Sequence, residues 1–202
     1  MIRIFLILML AVITQAVSGQ GKSQYRLTEE NYNFIVKGTS SLHDWEMEVT
    51  TVNGQVVFKN GSKAIEGILE INVEVKTGSF ISDKNLMEKK AAEALRADEY
   101  PTIRFRLDDV LTLNNSSDTL KGEVSGMLEI AGIAKTVNIA YELIPLENNE
   151  IKVTGSSELL MSDFGIDPPT ALLGTIKTDD RVKVTFNTVW IPETTAALKT
   201  SE

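Results

Sequence analysis

The chain has 202 residues, 43% hydrophobic and 24% charged, a composition that fits one globular domain, or at most two small ones, rather than a disordered or membrane-embedded chain. It contains no cysteine, so disulfides, thiol chemistry and a cysteine-linked lipid anchor are all excluded, and stability must come from an ordinary core. The net charge of -8, with no basic run interleaved with aromatics, argues against nucleic acid and anionic membrane surfaces as partners.

Met1-Ile2-Arg3 is a short basic start, Ile4 to Ile13 is nearly continuous apolar sequence, and Ala16-Val17-Ser18 is a small-x-small cleavage signal. Together they read as a signal peptide over residues 1–18. The apolar run is about ten residues, half of the roughly twenty that a spanning helix needs, and no later stretch predicts stable transmembrane insertion. Removing Arg3 with this leader leaves 19 basic against 28 acidic side chains. Export without cysteine favours a bacterial periplasm, with secretion as the alternative, over a small disulfide-rich module.

From Tyr25 to Trp190 the dominant hydrophobic period is two. Leu69, Ile71, Val73 and Val75 alternate with Glu70, Asn72, Glu74 and Lys76, the pattern of a half-buried antiparallel strand. Asn60-Gly61 predicts a hairpin before Ile65. Ser82 or Asp83 caps a predicted helix to about Ala97, with an apolar stripe of Leu86, Met87, Lys90, Ala91, Ala94 and Leu95, and Tyr100-Pro101 ends it. A lone helix in a β-meander serves better as a lid or plug than as a second layer. Ile103, Phe105 and Leu107 open the next strand; the polar segment Asn114 to Asp118 predicts a turn. Further alternation follows at Val124, Leu128 and Ile130, then at Val137, Ile139, Tyr141 and Leu143, and Glu147 to Glu150 predicts another turn. Leu159 to Gly174, with Pro168-Pro169, excludes a central strand and predicts an apolar loop that covers one end or packs as a crossover. Asp179-Asp180 predicts a turn before Val182, Val184 and Phe186. The domain spans 19–192 and a flexible tail 193–202.

About eight antiparallel strands around one apolar face make a sandwich or a closed barrel, and the pattern alone leaves the interior open or filled. Strand glycines such as Gly38, Gly54, Gly67, Gly122, Gly126 and Gly155 permit bends, or close approach to a ligand.

Three segments narrow this. Leu86 to Leu95 followed by Glu99-Tyr100-Pro101-Thr102-Ile103-Arg104-Phe105, the stretch Gly122 to Val137 with its Ala131-Gly132 turn and Lys135-Thr136-Val137 return, and Asp163-Phe164-Gly165-Ile166 together resemble the YceI-like family of polyisoprenoid-binding proteins. The resemblance implies an all-β fold, a single antiparallel, lipocalin-like barrel of about eight strands with one inserted α-helix. It further implies periplasmic residence and an apolar cavity that binds, sequesters or carries an isoprenoid, an isoprenoid quinone or another long-chain amphiphile. Many relatives carry an Arg-Asp-x-His cluster where this chain has Asp83-Lys84-Asn85-Leu86-Met87-Glu88, and a histidine where it has Ala131, so a head-group contact is lost or rebuilt here.

The expected ligand-lining side chains are Phe34, Val36, Trp45, Met47, Ile71, Val73, Phe105, Leu107, Leu128, Ile139, Tyr141 and Phe186 on strands, and Leu86, Met87, Leu95, Phe164 and Leu172 at the closures. Tyr141 or Trp45 offers a polar tip, and Lys84 a weaker one. No cofactor is expected beyond the bound polyisoprenoid or quinone. One histidine and no cysteine leave only a carboxylate metal site conceivable. Asp83, Glu88, Glu93 and Asp98 scatter around the helix, and Asp163, Asp167, Asp179 and Asp180 do not fit a calcium loop, so no metal is expected. His43 beside Asp44 is the remote basis for a hydrolase, but neighbours on a strand face opposite ways and no nucleophile motif accompanies them. The rival to a binding module is a non-catalytic envelope protein with a filled core and an exposed interaction patch. A homodimer and a transient envelope partner fit either reading.

Overall fold

Alternating apolar and polar side chains draw most of the chain into strands. The computed structural model describes residues 21–28, 30–61, 65–116, 119–171 and 173–193. The expected signal peptide, Leu172 and the expected tail beyond Glu193 lie outside the described residues. In chain order the strands are β1 Lys22–Arg26, β2 Tyr32–Ser40, β3 Asp44–Val49, β4 Val52–Asn60, β5 Ile65–Lys76 and β6 Phe80–Ile81, then helix α1 Asn85–Ala94. They continue with β7 Thr102–Ser116, β8 Thr119–Ile130, β9 Ile133–Pro145, β10 Ile151–Leu160, β11 Thr170–Ala171 and β12 Ile176–Pro192.

The strands run in the order β1-β4-β5-β7-β8-β9-β10-β12, all antiparallel, and β1 pairs with both β4 and β12. That double pairing closes an eight-stranded barrel, with Arg26 opposite Gln55 on one side and Ile191 on the other. Closure removes the sheet edges that an open meander would expose. The β2–β3 hairpin extends the wall beside β12, and β6 pairs with β3.

Register shifts occur in three strand pairs, β4–β5, β7–β8 and β12–β2, and they correct a simple reading of the alternation. Val57 faces Glu70 while Phe58 faces Ile68, so Leu69 is the extra residue. Ile68 therefore takes the inward place expected of Leu69, which is left 43% exposed. In β7 the extra residues are Asp108 and Leu111, which carries the inward face from Leu107 to Val110 and then to Leu113. Asp179 and Asp180 do not form the expected turn: β12 runs through them, and the irregularity is confined to its pairing with β2 between Thr178 and Val182. Likewise β7 and β8 extend into the segment expected to turn at Asn114.

The helix ends at Ala94, three residues before the expected stop, because Arg96 turns left-handed (φ 53). Arg96 N–H donates to Glu93 O and Ala97 N–H to Ala92 O, which closes a Schellman motif. The N-cap of α1 is Lys84, without a side-chain capping bond, rather than the expected Ser82 or Asp83; the Ser82 hydroxyl instead accepts from Lys84 N–H in the turn before it, and Glu88 accepts from Ser82 N–H.

Candidate functional site

The end of the barrel where β1 closes it is solid. Phe58, Leu143 and Ile151 are fully buried there, and Tyr25 meets Phe58 edge-on with centroids 5.4 Å apart. Trp190 Nε1–H donates to Thr188 Oγ1, whose own hydroxyl donates to Val153 O. From this polar-satisfied floor upward the barrel is open, enclosing a cavity of about 340 Å³. Its wall includes Phe34, Val36, Trp45, Met47, Ile71, Val73, Phe105, Leu128, Ile139, Tyr141 and Phe186. Phe34 and Phe186 stack across the β2–β12 pair at 5.4 Å.

The lumen stays open because several rings lie along the wall over glycine. Gly38 stands opposite Trp45, and a Cβ there would lie 2.6 Å from Trp45 Cε2. A Cβ at Gly126 would lie 2.5 Å from Phe105 Cε2, and one at Gly155 2.9 Å from Phe186 Cε2. Each missing side chain leaves a recess into which a large ring folds, so apolar surface is presented without blocking the bore.

At the opposite end lies the mouth. Met87, Lys90, Ala91 and Ala94 of α1 and its C-cap Leu95 line the cavity, a spacing of three and four that marks one helix face. Leu86, expected among them, is one residue off that face and 60% exposed. Leu107 also leaves the expected set: it packs in the core cluster, beside the Gly126 recess that Phe105 fills, and does not line the cavity. Leu172 lies outside the described residues. Lys90 reaches Glu93 at 2.8 Å, and that hydrogen bond holds the Glu93 carboxyl below its ordinary value.

The lining also takes in residues that the alternating pattern did not single out, among them Phe80, Leu160, Met161, Ile166 and Pro169. The last four belong to the 159–174 segment, so its apolar loop closes the same end as α1. Phe164 and Ile166 pack with Ala131 against Ala94, Leu95 and Val137. The turn at Ala131 (φ 50) and Gly132 (φ 81) is left-handed at both positions, and Tyr100 lies against Gly132 where a Cβ would be 2.7 Å from Cζ. Helix, Gly turn and Phe164 segment thus form one collar around the mouth.

Polar groups are sparse in this site. The Tyr141 ring lines the cavity, yet its hydroxyl is buried without a hydrogen-bond partner, and burial pushes the phenol above its ordinary value. Trp45 Nε1–H is used by Thr39 O at 3.1 Å. His43 sits exposed on the rim, its Nδ1 2.6 Å from the Asp44 carbonyl oxygen and its Nε2 3.4 Å from Lys84 Nζ. The nearby Ser40 hydroxyl donates to His43 O, so it serves the turn. This is a hairpin-turn network with the Asp44 backbone, and it does not assemble an acid–base–nucleophile relay. Among the described residues no three His, Asp or Glu side chains converge as metal ligands do.

The YceI-like domain matches residues 25–190. No curated protein sequence matches the chain. Among solved structures, BcnA of Burkholderia cenocepacia superposes with a TM-score of 0.62 at 18% identity, over 81% of this chain and 98% of that one. A polyisoprenoid-binding domain from Saccharophagus degradans gives 0.64 at 12% identity, over 84% and 98%. The YCEI protein of Campylobacter jejuni gives 0.59 at 17% identity, over 73% and 84%. At these identities the likeness is one of fold. With its barrel closed between β1 and β12 and the domain match running from Tyr25 to Trp190, the chain belongs to the YceI-like domain family.

Proposed function

We propose that this protein binds a long-chain apolar or amphiphilic molecule of the isoprenoid type in its barrel lumen and holds it away from water without chemical turnover. The observation that carries this reading is the open, apolar bore between the Trp190 floor and the α1 mouth. Its volume, about 340 Å³, falls within the range of small-molecule sites, roughly 300–1,000 Å³. A filled-core interaction module would leave no such space. The relation to a fold that includes a polyisoprenoid-binding domain from Saccharophagus degradans supports the same ligand class.

The driving force is desolvation. Each methylene removed from water contributes about 0.8 kcal/mol, so a tail of a few isoprene units outweighs the cost of ordering it. The few polar atoms along the wall suit a chain rather than a sugar or nucleotide. Lys90 and Thr178, both lining residues, place polarity towards the mouth, where a head group would remain. The signal-like sequence of residues 1–18, read as an export leader, fits action in a bacterial envelope, where such a lipid would otherwise partition into membrane.

Native mass spectrometry of protein isolated gently from its own envelope tests this, before and after incubation with a long-chain isoprenoid alcohol or quinone. A one-to-one complex is expected, lost in Val184→Trp, which projects an indole into the lumen, with the barrel still folded by circular dichroism. A chain that stays ligand-free after incubation would overturn the reading.

A further inference from the structure

Among the described residues, the three most exposed large hydrophobic side chains are Leu42 at 65%, Leu86 at 60% and Leu173 at 108%; the others fall between 38% and 44%. All three stand at the mouth. Leu42 is at the tip of the β2–β3 hairpin, Leu86 in the first turn of α1, and Leu173 in the turn between β11 and β12. Hydrogen bonds tie these segments together: Ser41 N–H donates to Lys177 O, Lys177 N–H to Ser41 Oγ, and Lys84 Nζ lies 3.4 Å from His43 Nε2.

Leu173 carries a second signal. It holds φ 57, a left-handed conformation that costs leucine more than glycine or asparagine. Nothing lies within 4 Å of where a Cβ on the adjacent Gly174 would stand, so the turn projects into open space. A strained backbone that thrusts leucine outward gains nothing from packing within the barrel.

We propose that this rim docks on the surface of an electrically neutral lipid bilayer, its three leucines entering the acyl boundary so that the lumen empties into the membrane rather than into water. The proposal rests on the lumen reading for the cargo, but not for the docking itself. A bilayer fits better than a protein partner. The leucines stand apart on three segments, interleaved with Ser41, His43, Lys84 and Lys177, whereas a stable protein interface needs a continuous face of about 800 Å² per partner. A fluid boundary accepts separate protrusions, and the lysines can stay at head-group level. The net charge of -8 selects against anionic lipid.

The test is flotation of the chain from residue 19 onward, which contains the whole closed barrel, with phosphatidylcholine vesicles. Leu42→Ser, Leu86→Gln and Leu173→Asn combined should weaken partitioning on the order of 1,000-fold, at about tenfold for each leucine withdrawn from the acyl boundary. Release of a preloaded long-chain fluorescent probe to the vesicles should slow in parallel, while probe binding without vesicles stays within about twofold. Leu173→Asn alone should lower partitioning while raising the melting temperature, which separates docking from folding. A parent chain that does not float, or a triple variant that floats equally, overturns the proposal. If no probe enters the lumen but flotation still depends on the leucines, the cargo reading fails and the docking stands.

Discussion

The recess at Gly38 makes a sharp prediction about what keeps the lumen open. In Gly38→Ala the new Cβ would lie 2.6 Å from Trp45 Cε2 and 3.0 Å from Cη2, and the three nearest atoms all belong to that ring. The backbone therefore need not move, but the indole must swing off the wall and lose its hydrogen bond to Thr39 O. The lost bond costs about 1 kcal/mol and overpacking about 1–3 kcal/mol. Against this, alanine reduces the freedom of the unfolded chain, worth roughly 0.4–1 kcal/mol, since Gly38 is not among the positive-φ positions. The net expectation is a loss of about 1–3.5 kcal/mol, a fall of several degrees in melting temperature for a domain of this size. With Trp45→Val already in place the obstacle is gone, and Gly38→Ala should be neutral or slightly stabilising. Urea unfolding of the four chains by circular dichroism gives the coupling, expected to exceed about 1 kcal/mol. Uptake of an apolar probe should fall only where Trp45 is present. An equal cost in both backgrounds would refute the recess argument and assign Gly38 to a backbone need instead.

Two further outcomes follow from single groups. Tyr141→Phe removes a buried hydroxyl that has no partner and should raise stability by about 1 kcal/mol in thermal melts; a fall would mean that lumen water or cargo bonds that oxygen. The Asp180 carboxylate accepts from Ser162 O–H at 2.5 Å and N–H at 2.7 Å, and these bonds, the hydroxyl's first, hold it below its ordinary 3.8. A carboxyl lowered in the folded state stabilises above its unfolded value and loses that contribution as pH falls through the folded one. Amide exchange at 161–164 should therefore speed up below pH 3.8 in the parent chain, and Asp180→Asn should flatten that acid response.

Much of the wall was legible because a two-residue period in a one-sided sheet fixes which side chains face inward. It failed at Leu69 and in the middle of β7, where an extra residue reverses parity and nothing in the local composition marks the bulge. The helix was legible in its stripe, but Leu86 shows the limit: apolar residues at adjacent positions point about 100° apart, so only one of Leu86 and Met87 can face the bore. Whether the barrel was open or filled could not be read from alternation, since it depends on how rings settle across strands. The Gly38–Trp45 recess follows from a tight hairpin at Ser41 and Leu42 that pairs the two residues. The Phe105–Gly126 recess depends on register in a bulged ladder, which sequence alone does not set.

The segments that carry the family resemblance meet at the mouth rather than deep in the lumen, and the reason is backbone geometry. A wall position asks only for an apolar side chain on the correct parity, which many sequences supply. The collar asks for left-handed residues at Arg96, Ala131, Gly132 and Gly165, and for Tyr100 lying against a residue without a Cβ. Few sequences meet all of these, which makes the collar a more demanding pattern than the wall. The same division separates two properties of the protein. Collar geometry sets where the barrel opens and what covers it, whereas cargo selection falls to the less constrained wall, where Tyr141 and the rings seated over glycine decide the bore. Family membership accordingly fixes the architecture more tightly than the ligand, and substitutions in the wall can retune binding without disturbing the closure of β1 onto β12.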